Sequence, residues 1–230
     1  MLTFSIQEKT FNVLLVGVFF IAVIGMAAFN YSVNAFGVFP MKTIAGYNDV
    51  RFVENTRIYK TFLIKNHRID GLLLGSSRIE ESMRPLPAAW PNMQPYNMAM
   101  PGTSIHELLR NLQHANAITP LKQVLIGVDF FMFSAFMEPV SDFSENYFAV
   151  DETDKRKPSL YVLRTYANIL LSSDALEKSV STIKDSKKHI TPSHEDNGMT
   201  SIAAHRAAVK DNAALYKVFD SFEKTYFRNQ

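Results

Sequence analysis

The sequence contains no cysteine, and this absence removes a whole set of chemistries. Without thiols the chain has no disulfide framework, no thiolate metal site and no cysteine nucleophile. An absence of cysteine is compatible with the bacterial cell envelope, although it does not establish that location. The formal net charge is only +2, and no stripe of lysine and arginine interleaves with aromatic residues, so the sequence argues against a nucleic-acid partner.

Several familiar catalytic motifs are missing as well. The chain has no HExxH, no clustered set of His and Asp ligands, no glycine-rich phosphate loop and no GxSxG. The sequence therefore predicts neither a metal nor a cofactor. Its 230 residues are 47% hydrophobic, which is enough for a folded domain with an appendage.

An unbroken run of apolar residues and glycine covers residues 13–29. At ~1.5 Å per residue the run extends roughly 25 Å, close to the ~30 Å hydrocarbon core of a bilayer. We interpret residues 11–33 as an uncleaved transmembrane anchor after a cytoplasmic tail at 1–10; a signal peptide and a buried core helix are the alternatives. A slight charge bias predicts a single-pass protein of the bacterial inner membrane, with its main domain in the periplasm or cell exterior.

The remaining chain divides into a linker with a helix, residues 34–66, and an α/β domain over 67–230. Apolar spacing predicts helices over 48–67 and around Leu160, Leu163, Ala167 and Leu170. The polar segment 185–200 is interpreted as a mobile surface loop, with a lid as the alternative. A last amphipathic helix is predicted over 215–227.

Between residues 69 and 128 the pattern is strand, loop, strand, helix, strand. The predicted strands are 69–74, 96–99 and 123–128. A capping box formed by Ser104 and Glu107 opens the helix between the last two strands, which runs to about residue 117. Because the strands are so apolar, we expect burial on both faces and therefore a parallel sheet covered by helices.

Polar or small residues follow the end of each predicted strand: Ser77, Gly102 and Asp129. The carboxyl ends of parallel strands are where ligands bind in open α/β sheets. Gly75 permits a sharp turn before Ser77, which makes this serine a candidate nucleophile. Ordinary turn chemistry is the alternative explanation for the sequence GSSR.

Three segments resemble the SGNH hydrolase superfamily: LLLGSSR at 72–78, YNMAMPG at 96–102 and VLIGVDFFMF at 124–133. They look most like the membrane-anchored members of bacterial envelope polysaccharide systems, namely alginate O-acetylation proteins and the D-alanine transfer protein of teichoic acids. The resemblance covers about a third of the chain. It implies a three-layer α/β/α fold with a parallel sheet, as in flavodoxin-like proteins, and acyl-ester chemistry.

The resemblance also implies roles for individual residues. Ser77 matches the nucleophile, and Gly102 matches the glycine whose N–H helps to form the oxyanion hole. Asp129 stands where the superfamily has asparagine; an ionised carboxylate cannot donate a hydrogen bond to an oxyanion. Asp129 instead either pairs with Arg78 or caps nearby backbone. Arg78 and Asn97 are the candidate substrate-binding residues.

The general base is not evident, because the superfamily's C-terminal Asp-x-x-His does not occur in this chain. His106, predicted on the first turn of the helix after Gly102, is a local substitute or simply a surface histidine. The sequence ends on an amphipathic pattern where related proteins continue. We therefore expect the natural domain to extend beyond Gln230, with a pseudoenzyme as the alternative.

By resemblance, the expected function is a membrane-anchored O-acyltransferase or esterase that acts on a cell-envelope or exported polysaccharide. Its expected partners are the lipid bilayer, the polysaccharide and a membrane-bound acyl donor protein. The alternative is a non-catalytic binding or scaffold protein of the same fold. A third possibility is an anchored α/β domain in which GSSR is only a turn.

Overall fold

The computed structural model describes residues 6–51, 55–134, 136–137, 140–192, 194–201, 203 and 217. The chain forms two compact units, one from residues 1–66 and 144–189 and the other from residues 67–143 and 190–230. Residues 144–189 therefore pack with the N-terminal unit, although they lie inside the predicted domain 67–230. We refer to these as the first and second units.

The first unit begins with a long apolar helix, α1, Ile6–Val33. Its stretch Lys9–Val33 has a mean hydropathy of 2.5 in its most apolar window, and none of that window is buried. In the part of the chain that the structure describes, α1 is the one helix long and apolar enough to cross a membrane. It is not a core helix of its own chain. A signal sequence near the N-terminus passes the same test of length and hydropathy, so the signal peptide is still an alternative.

Three further helices complete the first unit: α2, Thr56–Asn66; α5, Ser159–Leu170; and α6, Ser173–Lys187. A 3₁₀ turn spans Glu145–Tyr147. The end of α1 is fixed to this group, because Asn30 donates to the Leu170 carbonyl at 2.8 Å and accepts from Ser179 Oγ at 3.0 Å. The core cluster consists of Phe36, Val38, Ile58, Phe62 and Ala175.

Helix α2 begins later than the predicted residue 48. The Asn48 side chain closes a turn by accepting from the Ile44 N–H at 2.7 Å, and Asn48–Val50 lie in turns and bends. Asn55 then accepts from the Ile58 N–H at 3.2 Å, which satisfies one of the unpaired donors at the start of the helix. Local side-chain bonding of asparagine thus sets the helix start, and the prediction for 48–51 is wrong.

The second unit is built on a three-stranded parallel sheet, with strands β1, Gly71–Leu74; β2, Pro95–Asn97; and β3, Gln123–Ile126. The strand order is β2-β1-β3, with Leu72 opposite both Tyr96 and Val124. Helices α3, Ser77–Ser82, and α4, Ile105–Ile118, follow β1 and β2. Short 3₁₀ turns span Pro87–Ala89 and Phe130–Phe133. The predicted parallel sheet is confirmed, with shorter strands.

Two local predictions for this unit have different outcomes. Ser104 caps α4 by accepting from the Glu107 N–H at 3.1 Å, as the sequence predicts. Strand β1 is buried throughout, but β3 is not, since Ile126 is 44% exposed. The expectation of burial on both faces is therefore correct for β1 and wrong for β3, whose outer edge has no paired strand among the described residues.

The segment 194–201 is packed against the second unit's sheet instead of forming a loose surface loop. The Asn97 N–H donates to the Asn197 carbonyl at 2.8 Å, so this turn lies along the outer edge of β2. Met199 is only 2% exposed. The mobile-loop prediction is wrong for these residues, and residues 185–187 belong to α6. The helix predicted over 215–227 lies outside the described residues, apart from residue 217.

Asp70 connects the starts of all three strands. Its carboxylate accepts from the Gln94 N–H at 2.6 Å and pairs with Lys122 Nζ at 2.7 Å, while its carbonyl accepts from the Lys122 N–H at 2.8 Å. Hydrogen bonding from the Lys122 ammonium, followed by that from the Gln94 N–H, holds the pKa of Asp70 below its ordinary value of 3.8. The ionised carboxylate is therefore favoured in the folded protein.

We expect Asp70→Asn to reduce the acid sensitivity of the second unit. A carboxyl whose pKa is lowered by folding stabilises the folded state above its unfolded pKa, and this contribution is lost as pH falls through the lower, folded value. Urea denaturation of both proteins at pH 7 and near pH 3 measures the difference. The stability gap between wild type and variant should shrink on acidification; a constant gap would contradict the assignment.

Candidate functional site

The strand order creates a topological switch point at the carboxyl ends of the strands. From the central strand β1 the chain passes to β2 on one side and then crosses to β3 on the other. In open parallel sheets, ligands bind at the carboxyl ends of the two strands where the order reverses. Here these are the ends of β1 and β3, which are followed by residues 75–78 and 127–130. The predicted site residues Ser77, Arg78 and Asp129 all belong to these two segments.

Gly75 makes the close approach of the two segments possible. Its φ is +156°, and a Cβ at this position would lie 2.9 Å from the Gly127 carbonyl oxygen and 2.5 Å from the Ile79 side chain. The Gly75 carbonyl also accepts from the Met100 N–H at 3.1 Å. The turn after β1 is thus in contact with the turns after both neighbouring strands.

Asp129 binds the residues on either side of Ser77. One carboxylate oxygen, Oδ2, accepts a short hydrogen bond from Ser76 Oγ. The other, Oδ1, forms an ion pair with Arg78 Nη1 at 2.6 Å. Ser76 is the buried N-cap of α3, whereas the Arg78 side chain is 77% exposed. The pairing considered for Arg78 and Asp129 is therefore present, and the carboxylate also fixes the start of α3.

Ser77 is the first residue of α3 and is partly exposed. Within the described residues, neither its hydroxyl nor its N–H makes a hydrogen bond. Its neighbour Ser76 provides the cap, which leaves the Ser77 hydroxyl without a structural task. This position gives a hydroxyl and a backbone donor at the switch point that other groups of the described chain do not use.

Gly102 lies in the turn after β2 with a φ of +65°, in the left-handed region that favours glycine. A Cβ there would contact Val140 at 3.3 Å. The Gly102 N–H also has no hydrogen-bond partner in the described part of the chain. It is thus a second available donor, on the turn that the Met100–Gly75 bond holds against the end of β1.

Asn97 has a different environment from that expected of a substrate-binding residue. It is fully buried, and its Nδ2 donates to the carbonyls of Ile79 and Met83 at 3.0 and 2.9 Å. Its Oδ1 accepts from the Ala99 N–H at 3.0 Å. These internal contacts tie the end of α3 to β2, and they favour a structural role for this side chain.

No histidine of the described residues makes a hydrogen bond with Ser77. His106 is exposed on the first turn of α4, where its ring lies 6.1 Å from that of Phe143 in an edge-to-face arrangement. His205 lies outside the described residues. The structure thus places His106 where the sequence predicted it, on α4, without giving it a contact to the serine.

The structure contains a buried pair of a histidine and a glutamate that the sequence did not predict. His194 Nε2 lies 3.0 Å from Glu80 Oε1, and the two side chains are 10% and 3% exposed. Next to it, the Arg84 guanidinium binds both oxygens of Glu195 at 2.7 and 2.8 Å and holds the pKa of Glu195 below its ordinary value of 4.5. Sequence alone carries no signal for these pairs, because they join residues more than 100 positions apart.

The site therefore combines a partly exposed serine hydroxyl, two backbone donors that no other described residue uses, and a carboxylate paired with arginine. A hydroxyl and N–H donors are the groups that acyl transfer requires for a nucleophile and an oxyanion hole, but a base is also needed. No family model, no curated protein and no solved structure matches this chain.

Proposed function

We propose that this protein is a membrane-anchored acyltransferase or esterase of SGNH-like, three-layer fold, with Ser77 as nucleophile. The observation that carries the proposal is the position of Ser77 at the switch point, free of structural bonds within the described chain while Ser76 caps α3. The order β2-β1-β3 supports it, since this is the beginning of the doubly wound order 2-1-3-4-5.

The proposed mechanism uses the two backbone donors that have no partner among the described residues. Ser77 Oγ gives its proton to a base and attacks the acyl carbonyl, and the N–H groups of Ser77 and Gly102 stabilise the tetrahedral oxyanion. The oxyanion then collapses and expels the donor's leaving group, which takes the proton and leaves the acyl group on Ser77. A polysaccharide hydroxyl, or water in an esterase, accepts the acyl group and frees the serine. Arg78 contacts the substrate and keeps the Asp129 carboxylate neutralised beside the developing charge. A general base must remove the proton of the Ser77 hydroxyl. In the proposal this base is a group that makes no hydrogen bond to Ser77 within the described residues.

The proposed setting is the bacterial inner membrane. Helix α1 anchors the chain, the N-terminal tail is cytoplasmic, and the main domain is in the periplasm or cell exterior. The acyl acceptor is a cell-envelope or exported polysaccharide, and a membrane-bound protein donates the acyl group. The length and apolar composition of α1 support the anchor.

Labelling of the natural protein with a fluorophosphonate probe tests the nucleophile. We expect a single adduct on Ser77, and loss of both the adduct and esterase activity on p-nitrophenyl acetate, by about 10³-fold or more, in Ser77→Ala. Ser82→Ala is the matched control, because it removes an exposed serine at the other end of α3. An unlabelled wild-type protein, or equal activity in Ser77→Ala, would refute the proposal.

A second candidate function is a non-catalytic binding or scaffold protein of the same fold. Asp129 favours it, because a carboxylate stands where acyl transfer would use a hydrogen-bond donor. In that case the natural protein would bind polysaccharide, or the acyl donor protein, without reacting with the probe. The labelling experiment therefore separates the two candidates.

A further inference from the structure

The first unit contains a cleft of about 240 Å³ that is separate from the serine site. It is bounded by the start of α2, the 3₁₀ turn Glu145–Tyr147, the end of α5 and the start of α6. Its lining combines amide, carboxylate and aromatic side chains. The residues that matter here are Phe36, Asn55, Asn146, Tyr147, Asn168 and Asp174.

The helix starts at this cleft do not call for a bound anion. The Ile58 N–H of α2 already donates to Asn55 Oδ1 at 3.2 Å, and the Ala175 N–H of α6 donates to Ser172 Oγ at 3.0 Å. Asp174 is the one formally charged residue among the described residues that line the cleft. A carboxylate repels an anionic ligand, so the cleft disfavours one.

Several polar groups at the cleft have no protein partner within the described residues. These are the Nδ2 groups of Asn55 and Asn146, the whole amide of Asn168 and the carboxylate of Asp174. The amides supply donors and one further acceptor, and the carboxylate supplies acceptors only. The cleft thus offers both kinds of hydrogen-bonding group within one small volume.

An aromatic ring adds an apolar surface to this polar set. Tyr147 is half-buried, and its ring packs edge-on against Phe62 at 6.1 Å, which fixes its orientation. Phe36 and Ile58 are buried below it. A ring held in this way can pack against an apolar face of a ligand while the amides reach its polar edge.

We propose that this cleft binds a neutral saccharide. A pyranose ring carries C–H groups that pack on an aromatic face, and hydroxyls that both donate and accept at its rim. The volume is below the ~300–1,000 Å³ of pockets for drug-sized ligands, and it suits roughly one sugar ring of a longer chain. Asp174 selects against uronates and other anionic sugars.

This proposal rests on the proposed function only for the source of the ligand, the cell-envelope polysaccharide. Its residues belong to the first unit, and the chemistry proposed for Ser77 uses none of them. Phe36 follows the end of α1 by three residues, so in an anchored protein the cleft lies near the membrane surface. There it would hold a polysaccharide near the bilayer.

The test is oligosaccharide binding by the full chain in lipid nanodiscs, because alkyl maltoside detergents would themselves compete for a sugar site. Isothermal titration with cellotetraose, maltotetraose, chitotetraose and a uronate tetrasaccharide should show saturable binding of at least one neutral sugar and weaker binding of the uronate. Asn168→Ala should weaken neutral-sugar binding about tenfold, because a cleft amide is lost. Asp174→Asn should reduce the ratio of the affinity for the neutral sugar to the affinity for the uronate.

Two controls make the result specific. Glu177→Gln removes an exposed carboxylate from α6 outside the cleft and should leave binding unchanged. Ser77→Ala should bind the sugar as the wild type does, so unchanged esterase activity together with intact binding in this variant would refute only the proposed function. Absence of saturable binding to every neutral sugar, or equal binding by wild type and Asn168→Ala, would overturn the saccharide site even if Ser77 is labelled.

Discussion

Replacing Gly198 by alanine is expected to detach the turn 194–201 from the sheet, at a cost of about 3 kcal/mol or more to the second unit. Gly198 has a φ of +86°, and a Cβ would lie 2.1 Å from the Asn97 carbonyl oxygen and 2.8 Å from the Tyr96 ring. The oxygen belongs to strand β2 and cannot move aside without breaking the sheet. The turn itself must therefore move, and Met199 would lose its burial.

Hydrogen exchange at the Asn97 N–H reports this event directly, because that group donates to Asn197 in the turn. We expect its exchange to accelerate about 100-fold or more in Gly198→Ala, since each ~1.4 kcal/mol corresponds to a factor of ten. Gly46→Ala, in the first unit, is the control for backbone strain alone: its φ of +74° lies in the same left-handed region, but nothing lies within 4 Å of the added Cβ. Equal destabilisation by the two substitutions would mean that the turn is not seated against β2.

The sheet could be predicted from the sequence because its signals are local. Strands β1 and β3 contain short apolar runs that stop at Gly75 and Gly127, and Ser104 with Glu107 marks the start of α4 within four positions. Burial of β1 on both faces follows from its apolar composition. The exposure of β3 does not follow from its composition. It depends on whether a further element covers β3, and no pattern within the strand encodes this.

Helix α5 shows why the buried face of a helix was harder to predict than the presence of the helix. The apolar spacing of Leu160 and Leu163 correctly indicated a helix, but these side chains are 76% and 63% exposed. The helix packs instead through Thr165, Tyr166 and Ile169. Tyr166 contributes a large ring that packs on Phe62 and Phe39, and this burial outweighs that of the leucines.

The candidate site was predictable only in part, for a similar reason. The order of the motifs placed Ser77, Gly102 and Asp129 after successive strands, and the structure puts Ser77 at the start of α3 and Gly102 and Asp129 in the turns after β2 and β3. That Ser76 and not Ser77 caps α3 depends on the register of a single turn. The internal bonds of Asn97 were not predictable, because the sequence does not show whether a polar residue at a strand end faces the interior and binds backbone, as it does here.

The buried pair of His194 and Glu80 provides the other large expected effect. We expect His194→Leu and Glu80→Leu each to destabilise the second unit by about 3 kcal/mol, because each leaves the remaining polar side chain buried with one partner fewer. The double variant replaces both groups by apolar ones and should be more stable than the two single losses predict, with a coupling energy of about 2 kcal/mol. Urea denaturation of the four proteins near pH 6 measures this coupling.

The neighbouring pair of Arg84 and Glu195 is a matched comparison, because it joins the same two segments of chain. Its side chains are 36% and 29% exposed, so water and salt screen the interaction even though the arginine binds the carboxylate in a bidentate manner. A cycle with Arg84→Leu and Glu195→Leu should give a smaller coupling that decreases further in high salt. If the exposed pair couples more strongly than the buried one, burial is not what gives the His194–Glu80 contact its strength, and the turn is held mainly by its surface ion pair.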